Sequence, residues 1–131
     1  MHGIFQGLER RRFRRAKVDF SVSYLIREPM DVSMAVDGKN VKTIMFDISE
    51  EGIAIKSYTE IPSGALLMID FKLLYASKEA GDVKRDMHIE GRIVNRKALA
   101  DKAFRYGIHF EKIAPEDRAA IADFIRCFLG K

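Results

Sequence analysis

Phe104-Arg105-Tyr106-Gly107-Ile108-His109-Phe110 alternates large apolar residues with polar or small ones. A period of two sends one set of side chains to each face, the signature of a half-buried strand. The pattern recurs upstream. Met87, Ile89, Gly91 and Ile93 alternate with His88, Glu90 and Arg92. Leu67, Ile69, Phe71 and Leu73 alternate with Leu66, Met68, Asp70 and Lys72, and the first half is apolar on both faces, as in a well-covered strand. Val18, Phe20, Val22 and Tyr24 alternate with Asp19, Ser21 and Ser23 until Arg27-Glu28-Pro29 breaks the run. Val32, Met34 and Val36 lead to Asp37-Gly38, which supplies the backbone angles of a tight hairpin turn. A return strand is expected through Val41 to Phe46, then a polar loop over Asp47 to Glu51, a short strand over Gly52 to Lys56 and a turn at Pro62-Ser63-Gly64. Residues 75 to 86 are charged and contain Gly81, which reads as an exposed loop, and Asn95 to Lys102 reads as a polar connection.

The last element has a different period. Ile121, Phe124, Ile125 and Phe128 follow i, i+3, i+4, i+7 spacing, one apolar face of a helix. Pro115 suits its first turn, Glu116 and Asp117 complement the positive end of its dipole, and Gly130 ends it. Hairpin-length links make the strands antiparallel. The reading is mostly β: a small antiparallel β-barrel over residues 18–112 with a C-terminal helix over 115–129 packed at one end.

The chain has 131 residues, enough for one domain with a sizeable core. Cys127 is its only cysteine, so no internal disulfide can form, which fits a reducing cytoplasm. No apolar run approaches the roughly 20 residues that span a bilayer. Residues 1–8 are punctuated by glycines, hold the apolar Ile4, Phe5 and Leu8, and read as a flexible leader without a signal-peptide pattern.

Charge is concentrated in one place. Glu9-Arg10-Arg11-Arg12-Phe13-Arg14-Arg15-Ala16-Lys17 holds six cations and one anion, a local charge of +5 in a chain whose formal net charge is +4. The basicity therefore belongs to an arm over residues 9–17. Five of the six cations are arginine, whose flat donor fork grips phosphate oxygens or a guanine edge. By itself the arm also reads as a solvated basic tail. Asp47-Ile48-Ser49-Glu50-Glu51-Gly52 follows about thirty residues later, and by itself reads as an ordinary Asp/Ser turn.

Arg11-x-x-x-Arg15 followed by Asp47-x-Ser49-x-x-Gly52 resembles the PilZ domain family, over about residues 9–129. The resemblance implies a six-stranded, split-barrel-like fold with a C-terminal helix, and a non-enzymatic cytoplasmic receptor for cyclic di-GMP. Carried over, contacts to guanine, phosphate and backbone fall on Arg11, Arg15, Asp47 and Ser49. Gly52 would keep the loop tight and let the ligand approach the backbone. An arginine at Arg10 is compatible in this family with stacking a second ligand molecule, so two molecules per chain are expected. The chemistry agrees: arginine suits guanine O6 and N7, and an ionised aspartate accepts from the opposite edge. Glu51 stands where many members have glycine and adds negative charge near a dianion. Ala16-Lys17 replaces a common Val-Pro.

Enzyme readings find no support. His2, His88 and His109 form no zinc pattern, Ser49 near Asp47 lacks a placed histidine, and no glycine-rich phosphate loop precedes a helix. No metal and no cofactor are expected beyond the ligand. The expected mechanism is closure of the self-repelling arm over the ligand, creating a surface for a protein partner. The alternatives are an adaptor that binds no nucleotide and acts by protein contact, and a nucleic-acid binder. The last is disfavoured by the near-neutral remainder and the lack of an aromatic row.

Overall fold

The computed structural model describes residues 14–18, 20–30 and 40–129. Seven strands are found among them: β1 (Ala16–Lys17), β2 (Ser21–Glu28), β3 (Val41–Ile48), β4 (Gly52–Ser57), β5 (Leu66–Ser77), β6 (Gly81–Ala98) and β7 (Phe104–Lys112). One helix, α1 (Pro115–Leu129), follows. Every pairing is antiparallel, in the order β1-β3-β2-β5-β6-β7-β4, and β4 also pairs with β3. Six strands thus form a closed ring, and β1 extends β2 along the same edge of β3. This is the expected mostly-β antiparallel architecture with one C-terminal helix.

The alternation seen in the sequence explains the core. Tyr24, Ile26, Met45, Ile55, Leu67, Ile69, Leu73, Met87, Ile89, Tyr106 and Ile108 all point inside the ring and are buried. Ile121, Phe124 and Ile125 bring the helix onto the same cluster, and α1 packs against β5 and β1. Phe128, expected on that buried face, is 44% exposed and stacks on Phe124 at 5.5 Å instead.

Two expectations are corrected. Residues 75–86 are not a loop: β5 and β6 stay in register out to Ser77 and Gly81. The turn between them is short. Ser77 Oγ accepts from the amides of Glu79 and Ala80, and Gly81 takes the left-handed conformation at φ 71°. Most of its charged side chains face solvent, and two of its side chains reach the helix. Tyr75 donates to Asp123 at 2.6 Å, and Arg85 Nε donates to Asp117 at 2.8 Å. Burial, and then the Asp123 carboxylate, push the Tyr75 hydroxyl well above its ordinary range. Nor is Asn95–Lys102 only a connection, since β6 runs to Ala98 and pairs with β7 to Phe104.

The run Val18–Tyr24 is also redistributed. Val18 and Phe20 lie between β1 and β2, where the Val18 amide donates to Phe46 and the Phe20 carbonyl accepts from Met45. The expected strand over 32–36, the Asp37-Gly38 turn and the Gly130 stop lie outside the described residues.

Tyr106 ties the ring to the β4–β5 link. Its buried hydroxyl donates to the Thr59 carbonyl at 2.9 Å and accepts from the Ile61 amide at 2.7 Å. Tyr106→Phe keeps the ring but strips partners from a buried amide and a carbonyl. The expected loss is about 1–3 kcal/mol of stability, read from urea unfolding. An unchanged midpoint would mean that another group satisfies both atoms.

Candidate functional site

Two bulges decide which side chains face outward on one side of the ring. Along β3, Met45 pairs with Ile55, but Asp47 pairs with Ala54. The extra residue, Phe46, reverses the alternation, so Met45 points into the core and Asp47 points out of it. Along β6, Ile93 pairs with Ile108, but Asn95 pairs with Gly107. Here Val94 is extra, and Asn95 turns outward. Ala54 and Gly107 are themselves opposite each other on β4 and β7. One row therefore crosses four strands: Asp47, Ala54, Gly107, Asn95. Strand spacing of about 4.8 Å puts its two ends about 14 Å apart along the backbone.

The middle of the row is small, and the ends are polar. Between them lies a cleft of about 360 Å³, walled on the arm side by Arg15. Such a volume suits a small-molecule ligand. The Gly107 amide donates to Asn95 Oδ1 at 3.1 Å, and a Cβ at Gly107 would stand 2.5 Å from that oxygen. Glycine there lets the Asn95 amide lie against the backbone. The row on one side holds Gly52, His109 and Arg92. Arg92 is tied to Glu111 at 2.8 Å, and this bond holds the Glu111 carboxyl below the usual carboxylate range.

Asp47 is the charged centre of the site. It is 7% exposed, and it is held by two guanidiniums: Arg15 Nη1 donates to Oδ1 at 3.0 Å, and Arg105 Nη2 donates to Oδ2. A carboxylate so buried requires such partners. The Arg105 guanidinium also lies 5.8 Å over the ring of the bulge residue Phe46. Backbone geometry brings the arm to the same point, because Lys17 on β1 pairs with Asp47.

The loop between β3 and β4 is held by its own hydrogen bonds. The Ser49 amide and hydroxyl both donate to the Gly52 carbonyl, at 2.8 and 3.3 Å, and the hydroxyl accepts from the Glu51 amide. From the helix, Arg118 Nη1 donates to the Glu50 carbonyl at 3.0 Å, and the Phe110 amide donates to the Glu51 carbonyl.

Of the residues expected from the sequence, Arg15, Asp47 and Gly52 meet at the cleft, together with Glu51. Ser49 is 1% exposed and placed within the loop. Arg10 and Arg11 lie outside the described residues. The sequence reading missed Arg105, Asn95, His109 and Arg118. Arg105 and His109 had a signal, since both sit at outward positions of the Phe104–Phe110 alternation.

A sequence profile described as PilZ domain matches residues 9–127. Among curated proteins, none matches the chain. Among solved structures, the fold is similar to the Bacillus subtilis inhibitor of motility MotI/DgrA, with TM-score 0.70 and 19% identity over 92% of this chain and 52% of that one. It is similar to Escherichia coli YcgR in complex with c-di-GMP, with TM-score 0.63 and 13% identity over 92% of this chain and 46% of that one. It is also similar to the PilZ domain of YcgR with c-di-GMP, with TM-score 0.59 and 13% identity over 92% of both chains. The chain thus spans about half the length of MotI/DgrA and of full YcgR, and nearly all of the isolated domain. Among the described residues no helix is long and apolar enough to cross a membrane.

Gly52 separates a structural from a ligand-facing role. A Cβ there would collide with the Ile108 carbonyl oxygen, a backbone atom that cannot swing away. Gly52→Ala is expected to cost about 1–3 kcal/mol of stability by forcing β4 from β7. Urea unfolding checks this, and a variant as stable as the parent would mean that the pair adjusts freely.

Proposed function

The chain belongs to the PilZ domain family, and from that premise we propose that it is a receptor for cyclic di-GMP. The family is one of receptors rather than enzymes. The observation that carries the reading is the meeting of Arg15 and Asp47, 32 residues apart in sequence, at the mouth of the cleft. The YcgR domain with c-di-GMP, similar over nearly its whole length, supports it.

In this reading a guanine takes its place over Ala54 and presents its N1–H and N2–H groups to Asp47. Each carboxylate oxygen can accept more than one hydrogen bond, so the base can share Asp47 with a guanidinium or replace one. Arg15, with Arg10 and Arg11 of the arm, then supplies donors to guanine O6 and N7 and to the phosphates. Asp47 stands on β3 rather than in the expected loop over Asp47 to Glu51, and Ser49 and Gly52 shape the turn that follows it. The arm, which carries a local charge of +5, closes as the dianion neutralises it. The closed surface meets a protein partner in the cytoplasm.

One observation favours the second reading, an adaptor that binds no nucleotide. Both oxygens of Asp47 already have guanidinium partners, and Glu51 adds a second carboxylate to the cleft lining. Calorimetry distinguishes the two. Cyclic di-GMP is expected to bind the parent with two molecules per chain at saturation, the second beside Arg10. Arg15→Ala and Asp47→Ala are each expected to weaken binding by about 1.5–3 kcal/mol, the range for a hydrogen bond to a charged group. No heat from cyclic di-GMP, or folded variants that bind like the parent, would reject this site. Single-stranded DNA titrated in parallel should give no saturable binding.

Closure has its own readout. Amide exchange across residues 9–15 should slow when ligand is added. Exchange that is equally slow with and without ligand would argue against a closing arm.

A further inference from the structure

Three cations stand abreast on the outward face beside the cleft. Lys56 on β4 is opposite Arg105 on β7, and Arg105 is opposite Lys97 on β6. Directly opposed residues of antiparallel strands have Cβ atoms about 4.5–5.5 Å apart, and like charges so placed destabilise the sheet. The fold by itself gains nothing from this row. Of the three, Arg105 has a carboxylate partner among the described residues, Asp47. The Lys56 ammonium sits 5.1 Å over the Tyr58 ring, and Lys97 is exposed.

The row is continuous with the cleft. It lies two residues along each strand from Ala54, Gly107 and Asn95, a step of about 7 Å. Arg105 belongs to both, since it lines the cleft and holds Asp47. Within the described lining, Asp47 and Glu51 offset Arg15 and Arg105, so the cleft itself offers a dianion no net charge. Lys56 and Lys97 add two positive charges on the side away from Gly52 and His109. Their flexible stems let both ammonium groups reach toward a phosphate held near Arg105.

We infer that the Lys56–Arg105–Lys97 row is a phosphate-binding strip that extends the ligand cleft across β4, β7 and β6. It takes the phosphates of a nucleotide whose base lies over the Asp47–Ala54–Gly107–Asn95 row. The identity of that nucleotide rests on the cyclic di-GMP reading; the anion chemistry of the strip does not.

The test uses the full chain and the double variant Lys56→Gln/Lys97→Gln, which leaves every residue of the cleft lining in place. Calorimetry with cyclic di-GMP at low salt should show binding about five- to tenfold weaker in the variant, as two partly exposed charge contacts would give. The gap should narrow at high salt, because the screening length falls from about 30 Å at 0.01 M to about 3 Å at 1 M. Equal affinities of the folded proteins at low salt would overturn the strip. If the parent binds no cyclic di-GMP, the receptor reading fails, and inorganic pyrophosphate decides the strip. Saturable shifts of the Lys56, Arg105 and Lys97 backbone amides in NMR spectra, absent in the variant, would uphold it. No such shifts in the parent would overturn it.

Discussion

The ring closes through one strand with three neighbours. The first half of β3, Val41 to Ile44, pairs with β2, and the second half pairs with β4 on one side and β1 on the other. β1 and β2 run on from one another along one edge of β3, through the Val18–Phe46 and Met45–Phe20 backbone bonds, and β4 takes the other edge; without β4 there the sheet would keep two open edges. The β4 pairing shifts register at Phe46, where the alternation of β3 reverses. That single extra residue turns Asp47 from the core to the cleft. Ile48 resumes the inward pattern opposite Ile53, and both are buried. The bulge at Val94 does the same for Asn95 at the far end of the row. The site is a consequence of two local shifts in register, not of a loop laid over a finished barrel.

This construction explains what could be read from the sequence. The strands with one buried face were visible because their apolar residues alternate, and the helix because its apolar residues recur at three and four. The arm and Asp47-x-Ser49-x-x-Gly52 were visible as a spaced pair of motifs. The distal hairpin was not. Lys72, Leu74, Asp82, Lys84 and Asp86 are exposed, so composition there looks like a loop, while the pairing that makes it a strand is supplied by the opposite strand and the helix. The turn at Ser77 and Gly81 did carry a signal, a serine and a glycine four positions apart around a tight reversal.

The missed site residues have a common reason. Asn95 joins Asp47's row, and Arg105 in the next row comes within reach of Asp47, only through the registers of β4 with β7 and β7 with β6, and register between distant strands is not written in any one segment. The bulges leave a trace: Met45 and Asp47 share parity, as do Ile93 and Asn95, yet one member of each pair is apolar and the other polar. A strict period of two cannot satisfy both. Gly52 was legible as a required glycine, but for a different partner. The atom that excludes a side chain is the Ile108 carbonyl, so its smallness brings two strands together at the rim of the cleft.

Asp47 also lies where the arm, the loop and the helix meet. Its backbone pairs with Lys17, its carboxylate holds Arg15, and the loop that follows it is fixed to α1 through Arg118 and Glu50. Ala16, fully buried, anchors β1 against the core, and α1 packs on β1. A group that takes the Asp47 carboxylate away from Arg15 therefore removes one of the ties that hold the arm to β3, while the backbone pairing of Ala16 and Lys17 remains. The seam of the ring thus carries both the buried carboxylate and the chain segment paired beside it.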